Sequence, residues 1–363
     1  MKIVFVNNFW RGLGGAEHQT LLVIEGLLKR GVEVRLIAPN DSKIATAARE
    51  LGADVTECNL EKSENRTSLQ TIEELSVNAD FVAGTGHWTN LLVSRASLSA
   101  KTKKIAIHQS MPDAARMKLE RFARRHVMRF GLRKIDGHIA VSKAVKDVLV
   151  KQGFSAEKIE VIHNGAPLPP DTFSVSDTKR TSPAGKAESV LGYLGRLEKV
   201  KGCDLLLQAF KQVHEATSEV TLKIAGVGSQ EEELHKLSDS LGLAESVQFL
   251  GWQDTYNFFS NIDILVAPSR AEAFGLSIVE AQRAGKAIVA FDVGGISEAL
   301  LSDMTTQLVP AGNTELLAKA IIEMLDRLPQ IENELQDTAQ LALQKFTPEQ
   351  TAEAYYRYFN QQL

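Results

Sequence analysis

The stretch Pro268–Ala281, PSRAEAFGLSIVEA, places two carboxylates, Glu272 and Glu280, eight positions apart around a mostly apolar run. The residues before it, Ile262–Ala267, form a short β-rich run that Pro268 stops. Ser269–Ala273 reads as loop, and Gly275 turns the chain into a helix over Leu276–Ala284, which Gly285 closes. The first N–H groups of a helix lack intrahelical partners and sit at the positive end of its dipole, so such a turn is an anion site. Glu280, on the second turn, is placed to accept hydrogen bonds from ribose hydroxyls, a common device in nucleotide folds. Glu272, in the loop ahead of the helix, is free to meet a sugar. Either glutamate alone also reads as an exposed surface carboxylate; the strand–loop–helix context is what sets the pair apart.

Outward from this stretch the chain repeats one architectural theme. KIVFVNN is a short β-rich run, followed by a Gly-rich turn, a helical pattern over Ala16–Arg30 that Gly31 ends, and a second strand in VEVRLIAP. That is a βαβ unit opening a doubly wound parallel sheet. Phe81–Ala83, Lys103–His108 and His138–Ser142 supply further strands between helical stretches. Residues 166–188, APLPPDTFSVSDTKRTSPAGKAE, are rich in Pro, Ser, Thr and charge, and read as a linker. After it the pattern restarts with SVLGYLGRL, a helix over Asp204–Ala216, and strands in VTLKIAGVG, VQFLGW, IDILVAPS and AIVAFDVGG. The fold class is therefore α/β, with Rossmann-like domains over 1–165 and 189–346 and a ligand cleft at the carboxyl ends of the strands.

Composition fits that reading. The 363 residues, 44% hydrophobic and 24% charged, suffice for two ordinary domains, each with a core of its own. The net charge of -4 hides an asymmetry: residues 1–170 carry 25 Lys+Arg against 18 Asp+Glu, and the remainder 16 against 27. The first half is thus suited to meet something anionic. Two distant cysteines, Cys58 and Cys203, argue against a disulfide framework or a zinc site. No run approaches the ~18 apolar residues of a membrane span, and the first residues read as a strand rather than a signal peptide, so a cytoplasmic location is expected.

GRLEKVKG, Gly195–Gly202, follows the strand that ends near Leu194. Arg196 and Lys201 at the mouth of the cleft suit a diphosphate, one as a fork and the other as a point charge, although each alone also reads as a solvated loop charge. The chain has no D-x-D motif, and no metal site is expected.

With these residues in view, E-A-F-G-L-S-I-V-E resembles the E-x7-E signature of the retaining glycosyltransferases of family 4, which have the GT-B fold. Other pieces agree in order. GGAE at Gly14–Glu17 resembles that family's first glycine loop, and GRLEKVKG its G-R-L-x-x-x-K-G. AGVGSQEEEL resembles its A-G-x-G-x and VQFLGW its V-x-F-L-G. VSKAVKD resembles a further family segment, and VIHNG its V-I-P-N-G, with His163 in place of the proline. The resemblance implies that Arg196 and Lys201 stabilise a leaving nucleoside diphosphate in place of a metal ion. It implies that Glu280 binds the ribose and Glu272 the donor sugar, and that Phe274, Gly275 and Leu276 lend backbone to phosphates or sugar. Gly14 and Gly15 would close over donor phosphates or acceptor. His108, after KIAIH, resembles the family histidine near the reacting sugar, with His87 in GTGHWTN as its rival; alone, a single histidine after a strand reads as structural.

The implied reaction is front-face transfer of a hexose with retention, from a nucleotide sugar to a glycan or lipid-linked glycan acceptor in bacterial surface polysaccharide or lipopolysaccharide synthesis. A UDP-sugar is favoured, with GDP- and ADP-sugars left open, and no further cofactor is implied. By the same resemblance FTPEQTAEAYYRYFNQQL, about 347–363, is the last helix returning to the first domain. Arg116–Lys134 holds eight Lys/Arg, one Glu and apolar residues at helical spacing. It reads either as a sheet-packed helix with a solvated face or as a peripheral contact with an anionic membrane at its inner face. Aromatics for base stacking are sparse, which argues against nucleic acid. Two rival readings are a sugar-nucleotide 2-epimerase, which would need no acceptor, and a non-catalytic nucleotide-sugar binder, which the presence of Arg196, Lys201, Glu272 and Glu280 together disfavours. The spacing of GLGGAE is wrong for a G-x-G-x-x-G dehydrogenase turn.

Overall fold

KIVFV and EVRLIA, the first two apolar runs, pair in parallel as β1 (Lys2–Val6) and β2 (Glu33–Ala38), with Phe5 opposite Leu36. The structure, a computed structural model, describes residues 1–8, 14–60, 65–111, 130–175, 189–217 and 219–363. They fall into two units, Met1–Gly165 with Pro348–Leu363, and Ala166–Thr347.

In the first unit β1 is followed by α1 (Gly15–Leu28), then β2, α2 (Lys43–Glu50), β3 (Asp54–Glu57), α3 (Asn65–Leu75) and β4 (Phe81–Gly84). The order continues with α4 (His87–Arg95), β5 (Lys103–His108), β6 (Gly137–Ala140), α5 (Lys143–Lys151) and β7 (Ile159–Val161). The strands form one parallel sheet, β3-β2-β1-β4-β5-β6-β7. Alternation in β1 shows why both faces are covered. Ile3 and Phe5 join one apolar cluster and Val4 and Val6 the other, all essentially inaccessible. A parallel sheet reads as a continuous apolar run for this reason.

The second unit runs β8 (Ser189–Leu194), α6 (Cys203–Ala216), β9 (Val220–Ala225), α7 (Glu231–Ser240), β10 (Val247–Phe249) and α8 (Thr255–Phe259). It continues with β11 (Ile264–Ala267), α9 (Leu276–Arg283), β12 (Ala287–Phe291), α10 (Ile296–Ala299), β13 (Thr306–Val309), α11 (Thr314–Arg327) and α12 (Glu332–Gln344). Its parallel sheet has the order β10-β9-β8-β11-β12-β13. Strand order reverses between β8 and β11 here, and between β1 and β4 in the first sheet. In open α/β sheets that reversal opens the crevice in which ligands bind.

Three strands, β3, β7 and β13, go beyond the sequence reading. All are edge strands of three or four residues, and their sequences DVTE, IEV and TQLV lack a sustained apolar run. The expected linker also differs in its first part. Ala166 is fully buried, Arg283 donates to the carbonyls of Ala166 and Pro167, and Phe173 packs on Tyr256 with ring centroids 5.0 Å apart. Residues 176–188 of that segment lie outside the described residues.

The final helix, α13 (Pro348–Gln362), completes the first core. Its Phe359 ring lies 4.9 Å from that of Phe81 and 6.5 Å from that of Phe5, and is fully buried. Gly26 of α1 lets α13 approach: a Cβ there would sit 2.1 Å from that of Ala352. Truncating a buried phenylalanine removes its transfer energy and leaves a cavity, so Phe359→Ala is expected to cost about 3–5 kcal/mol. Leu363→Ala, at a position 69% exposed, should change stability by less than about 0.5 kcal/mol. Urea unfolding monitored by circular dichroism reads both; equal effects would deny α13 its part in the core.

Candidate functional site

The loops after β8 and β11 leave adjacent strands at the reversal point of the second sheet, with Leu191 opposite Ile264. They carry Arg196, Lys201, Glu272 and the start of α9. Gly202 fits the two loops together. It has φ +73°, and a Cβ there would lie 1.9 Å from the carbonyl oxygen of Pro268. Backbone therefore meets backbone at this point, and no larger residue fits without a shift.

This approach brings Lys201 to Glu272. Lys201 Nζ donates to Glu272 Oε2 at 2.5 Å, and Ser269 Oγ donates to the same oxygen at 3.4 Å. Both charged side chains are partly open to solvent, 24% and 17% exposed. Neighbouring charges are used to hold the loops. Asp204, at the start of α6, accepts a fork from Arg270 at 2.7 and 2.8 Å and a bond from Lys199 at 2.6 Å, while Arg270 also donates to the Lys199 carbonyl at 2.7 Å. Burial would raise the Asp204 carboxyl, but the bonds from Arg270 and Lys199 outweigh it and hold it below the usual range. Arg196 is exposed, its carbonyl fixed at 2.8 Å by the hydroxyl of buried Tyr193. Tyr193, Lys201, Ser269, Glu272, Gly275 and Ser277 line one narrow depression.

Helix α9 starts at this depression. Gly275 is its N-cap, no side chain caps it, and its first turn holds no acidic residue. Its free N–H groups and dipole are thus left for an outside anion. Phe274 just before it is buried, its ring 5.2 Å from that of Phe346, so only its backbone can face a ligand; Leu276 is half-buried. Glu280 is half-buried on the second turn. Burial pushes its carboxyl up to about 7, and Arg283 draws it back down. The helix then ends in Arg283, whose buried guanidinium donates to the carbonyls of Ala342, Ala166, Pro167, Lys345 and Phe346 at 2.6–3.1 Å.

In the first unit Gly14 and Gly15 begin α1. This helix start already holds a carboxylate: buried Glu17 accepts from the Gly14 N–H at 2.9 Å. His108 closes β5, 2% exposed, with Nε2 3.1 Å from His138 Nδ1. Burial, with the charges of His138 and His87 adding to it, holds His108 well below the usual imidazole range. His87 opens α4, its Nε2 3.2 Å from Ser110 Oγ. His163 offers its carbonyl to Thr351 Oγ1 at 3.0 Å.

Several of these partners escaped the sequence reading. Ser269 and Arg270 lie inside the quoted stretch, and Asp204 lies two residues after the end of GRLEKVKG, so proximity to the motifs is their available signal. Tyr193 and His138 read as ordinary strand residues. Of the basic stretch 116–134, residues 116–129 lie outside the described residues; Phe130 is 66% exposed. Among the described residues no helix is long and apolar enough to cross a membrane, and no group of three or more His, Cys, Asp or Glu is placed to hold a metal ion.

Two family profiles match the chain, "Glycosyltransferase Family 4" over residues 13–168 and "Glycosyl transferases group 1" over 175–340. D-inositol 3-phosphate glycosyltransferase of Mycobacterium sp. (strain KMS) is 33% identical over 179 residues, 47% of this chain. The match spans 40% of the length of that relative. Anabaena Alr3699/HepE, solved with UDP-glucose, superposes with TM-score 0.81 at 22% identity, covering 99% of this chain and 100% of its own. The lipopolysaccharide outer core galactosyltransferase WaaB superposes with TM-score 0.75 at 20% identity, covering all of both chains. At such identities the two structures speak for the fold.

The Gly202 approach yields a test. Gly202→Ala and Gly312→Ala introduce a side chain at similar backbone angles, φ +73° and +78°, but nothing lies within 4 Å of the Gly312 position. Gly312→Ala should cost about 1 kcal/mol. Gly202→Ala should cost at least about 2 kcal/mol more through the clash, seen as a lower melting temperature in calorimetry. Equal losses would mean that the loops are not in contact there.

Proposed function

The chain belongs to glycosyltransferase family 4 and has the GT-B fold, and on that premise we propose that it is a retaining, metal-independent hexosyltransferase. It moves a hexose-type sugar from a nucleotide-diphosphate sugar, a UDP-sugar by preference, to a glycan or lipid-linked glycan acceptor. The observation that carries this reading is the Lys201–Glu272 pair, 2.5 Å apart and partly exposed beside the uncapped start of α9. A cation, a carboxylate and free helix N–H groups meet there, and these are the groups that a sugar diphosphate needs.

The chemistry follows from the charges. When the bond between the sugar's anomeric carbon and the phosphate oxygen breaks, negative charge grows on the diphosphate and positive charge on the sugar. Arg196 and Lys201 hold the diphosphate, assisted by the N–H groups at Gly275 and Leu276, and this fixed electrostatic field lowers the barrier. Lys201 exchanges Glu272 for phosphate, which releases the Glu272 carboxylate toward the sugar hydroxyls. Glu280 accepts from the ribose. His108 contacts the donor sugar in the first unit, where Gly14 and Gly15 also serve donor or acceptor. The acceptor oxygen then bonds to the anomeric carbon on the face that the diphosphate leaves, and its proton passes to the departing phosphate oxygen.

The UDP preference draws support from the UDP-glucose held by the Anabaena neighbour. A role in bacterial surface polysaccharide or lipopolysaccharide synthesis draws support from the likeness to WaaB. The basic stretch 116–134 would then give peripheral contact with the inner face of an anionic membrane.

Two measurements test the donor site. In a thermal-shift series with UDP-glucose, a GDP-sugar and an ADP-sugar, UDP-glucose at about 100 times its Kd should stabilise the protein by about 2.7 kcal/mol. EDTA should leave that shift unchanged, and the Arg196→Ala/Lys201→Ala double variant should lose it. No stabilisation by any of the three, or stabilisation kept in the double variant, would remove the diphosphate role. The second measurement is pH. Because burial raises the folded Glu280 pKa to about 7, the protonated form is favoured in the fold. That contribution to stability is complete below the ordinary carboxylate range and is lost as pH rises through about 7. Ribose binding needs the ionised form, so UDP-glucose affinity should rise about tenfold between pH 6 and 8, and Glu280→Gln should flatten the profile. UDP-glucose is chosen because its phosphates do not titrate there. A flat wild-type profile would take the ribose from Glu280.

A further inference from the structure

Two buried histidines meet on the first sheet in a way that the donor site alone does not explain. His108 closes β5, and His138 lies on the neighbouring strand β6, opposite Ala106. Each is 2% exposed. His108 Nε2 and His138 Nδ1 are 3.1 Å apart, with ring centroids at 5.3 Å and planes tilted by 34°. On its other side the His138 ring packs edge-on against Phe154, with centroids at 4.8 Å, which fixes its plane. Burial, helped by the Lys158 charge, lowers His138 to about 4, and His108 is held well below its usual range, so both rings are neutral near pH 7.

A hydrogen bond between two neutral imidazoles needs one N–H and one lone pair, so each ring dictates the other's tautomer. The remaining nitrogen of His108, Nδ1, is buried and has no hydrogen-bond partner among the described residues. A buried N–H without a partner is rarer than a buried acceptor without one. The proton of His108 therefore sits on Nε2 and is donated to His138 Nδ1, and His108 Nδ1 keeps a lone pair.

We propose that His138 is a positioning residue, which locks His108 as the Nε2–H tautomer and so fixes the plane of the ring that the proposed function sets against the donor sugar. The assignment rests on the reading of His108 as a sugar contact, but its test does not depend on it. No carboxylate or backbone carbonyl is needed to orient His108, because a second neutral ring performs that task from the next strand.

The experiment is long-range proton–nitrogen correlation on protein labelled with 15N-histidine, in the wild type, His138→Phe and His138→Asn. The His108 signals are identified by their loss in His108→Ala. Wild type should show His108 as the Nε2–H tautomer alone. Phenylalanine keeps the packing against Phe154 but removes Nδ1, so His138→Phe should give a mixture of tautomers. Asparagine places a carbonyl oxygen close to the lost Nδ1 and should restore the single tautomer, and it carries the test if the phenylalanine variant folds poorly. UDP release from UDP-glucose should fall about tenfold in His138→Phe and recover to within about threefold in His138→Asn, with the UDP-induced thermal shift unchanged in both. An Nδ1–H tautomer in the wild type, or a His108 spectrum indifferent to position 138, would overturn the proposal. If the tautomer responds as expected but His108→Ala keeps wild-type turnover, the sugar contact of His108 fails while the locking by His138 stands.

Discussion

The second unit depends on one buried guanidinium. Arg283 is wholly inaccessible and has five main-chain carbonyls as acceptors, from residues 166 and 167, 342, 345 and 346. A buried charge is costly unless its donors are satisfied, and a guanidinium has five N–H donors in a fixed fork. The chain enters this unit at Ala166 and leaves it at Thr347. One side chain thus gathers both crossings onto the end of α9, and the start of the same short helix lies at the depression that Lys201 and Glu272 line. Among the charges acting on Glu280, that of Arg283 is the one that opposes burial. The residue that secures the unit's two chain ends also helps to set the ionisation of the proposed ribose ligand.

The polar residues around the depression divide into two groups. Asp204, Arg270 and Lys199 are bound to one another at 2.6–2.8 Å and hold the loops in register. Lys201 and Glu272 form a single pair, 24% and 17% exposed, whereas Asp204 is bound by two cations that are themselves partly open to solvent. Ion pairs that keep contact with water gain little net stability. A single pair of that kind is one that the proposed diphosphate ligand would displace at small cost, whereas the Asp204 cluster resists such exchange through its number of bonds.

Much of this was legible in the sequence where apolar runs were long or motif residues were closely spaced. The central strands β1, β5, β8, β9, β11 and β12 were readable because both faces of a parallel sheet demand apolar residues. The edge strands β3, β7 and β13 were not, because short strands with a partly solvated face carry no such run. Glu272, Lys201 and the helix start at Gly275 could be named from their pattern, but the direct bond between Lys201 and Glu272, 71 residues apart, comes from the meeting of two loops at Gly202. The His108–His138 contact spans 30 positions and depends on the register of β5 with β6. Arg283 sits in AQRAG, where a helix-end arginine reads as a solvated charge; its burial follows from the return of the chain after α12, which no local signal announces.

The placement of α13 bears on how the protein is made. The second unit is one continuous stretch of chain, whereas the core of the first contains Phe359, Tyr355 and Tyr358 from the far end of the sequence. During synthesis the first sheet is therefore on hand long before the helix that covers it. The unit translated second can close on its own residues, while the one translated first waits with the surface around Phe5 and Phe81 uncovered. Ribosome pausing or premature termination within residues 348–363 would leave an apolar face for chaperones to shield, even though every strand of both sheets had already emerged.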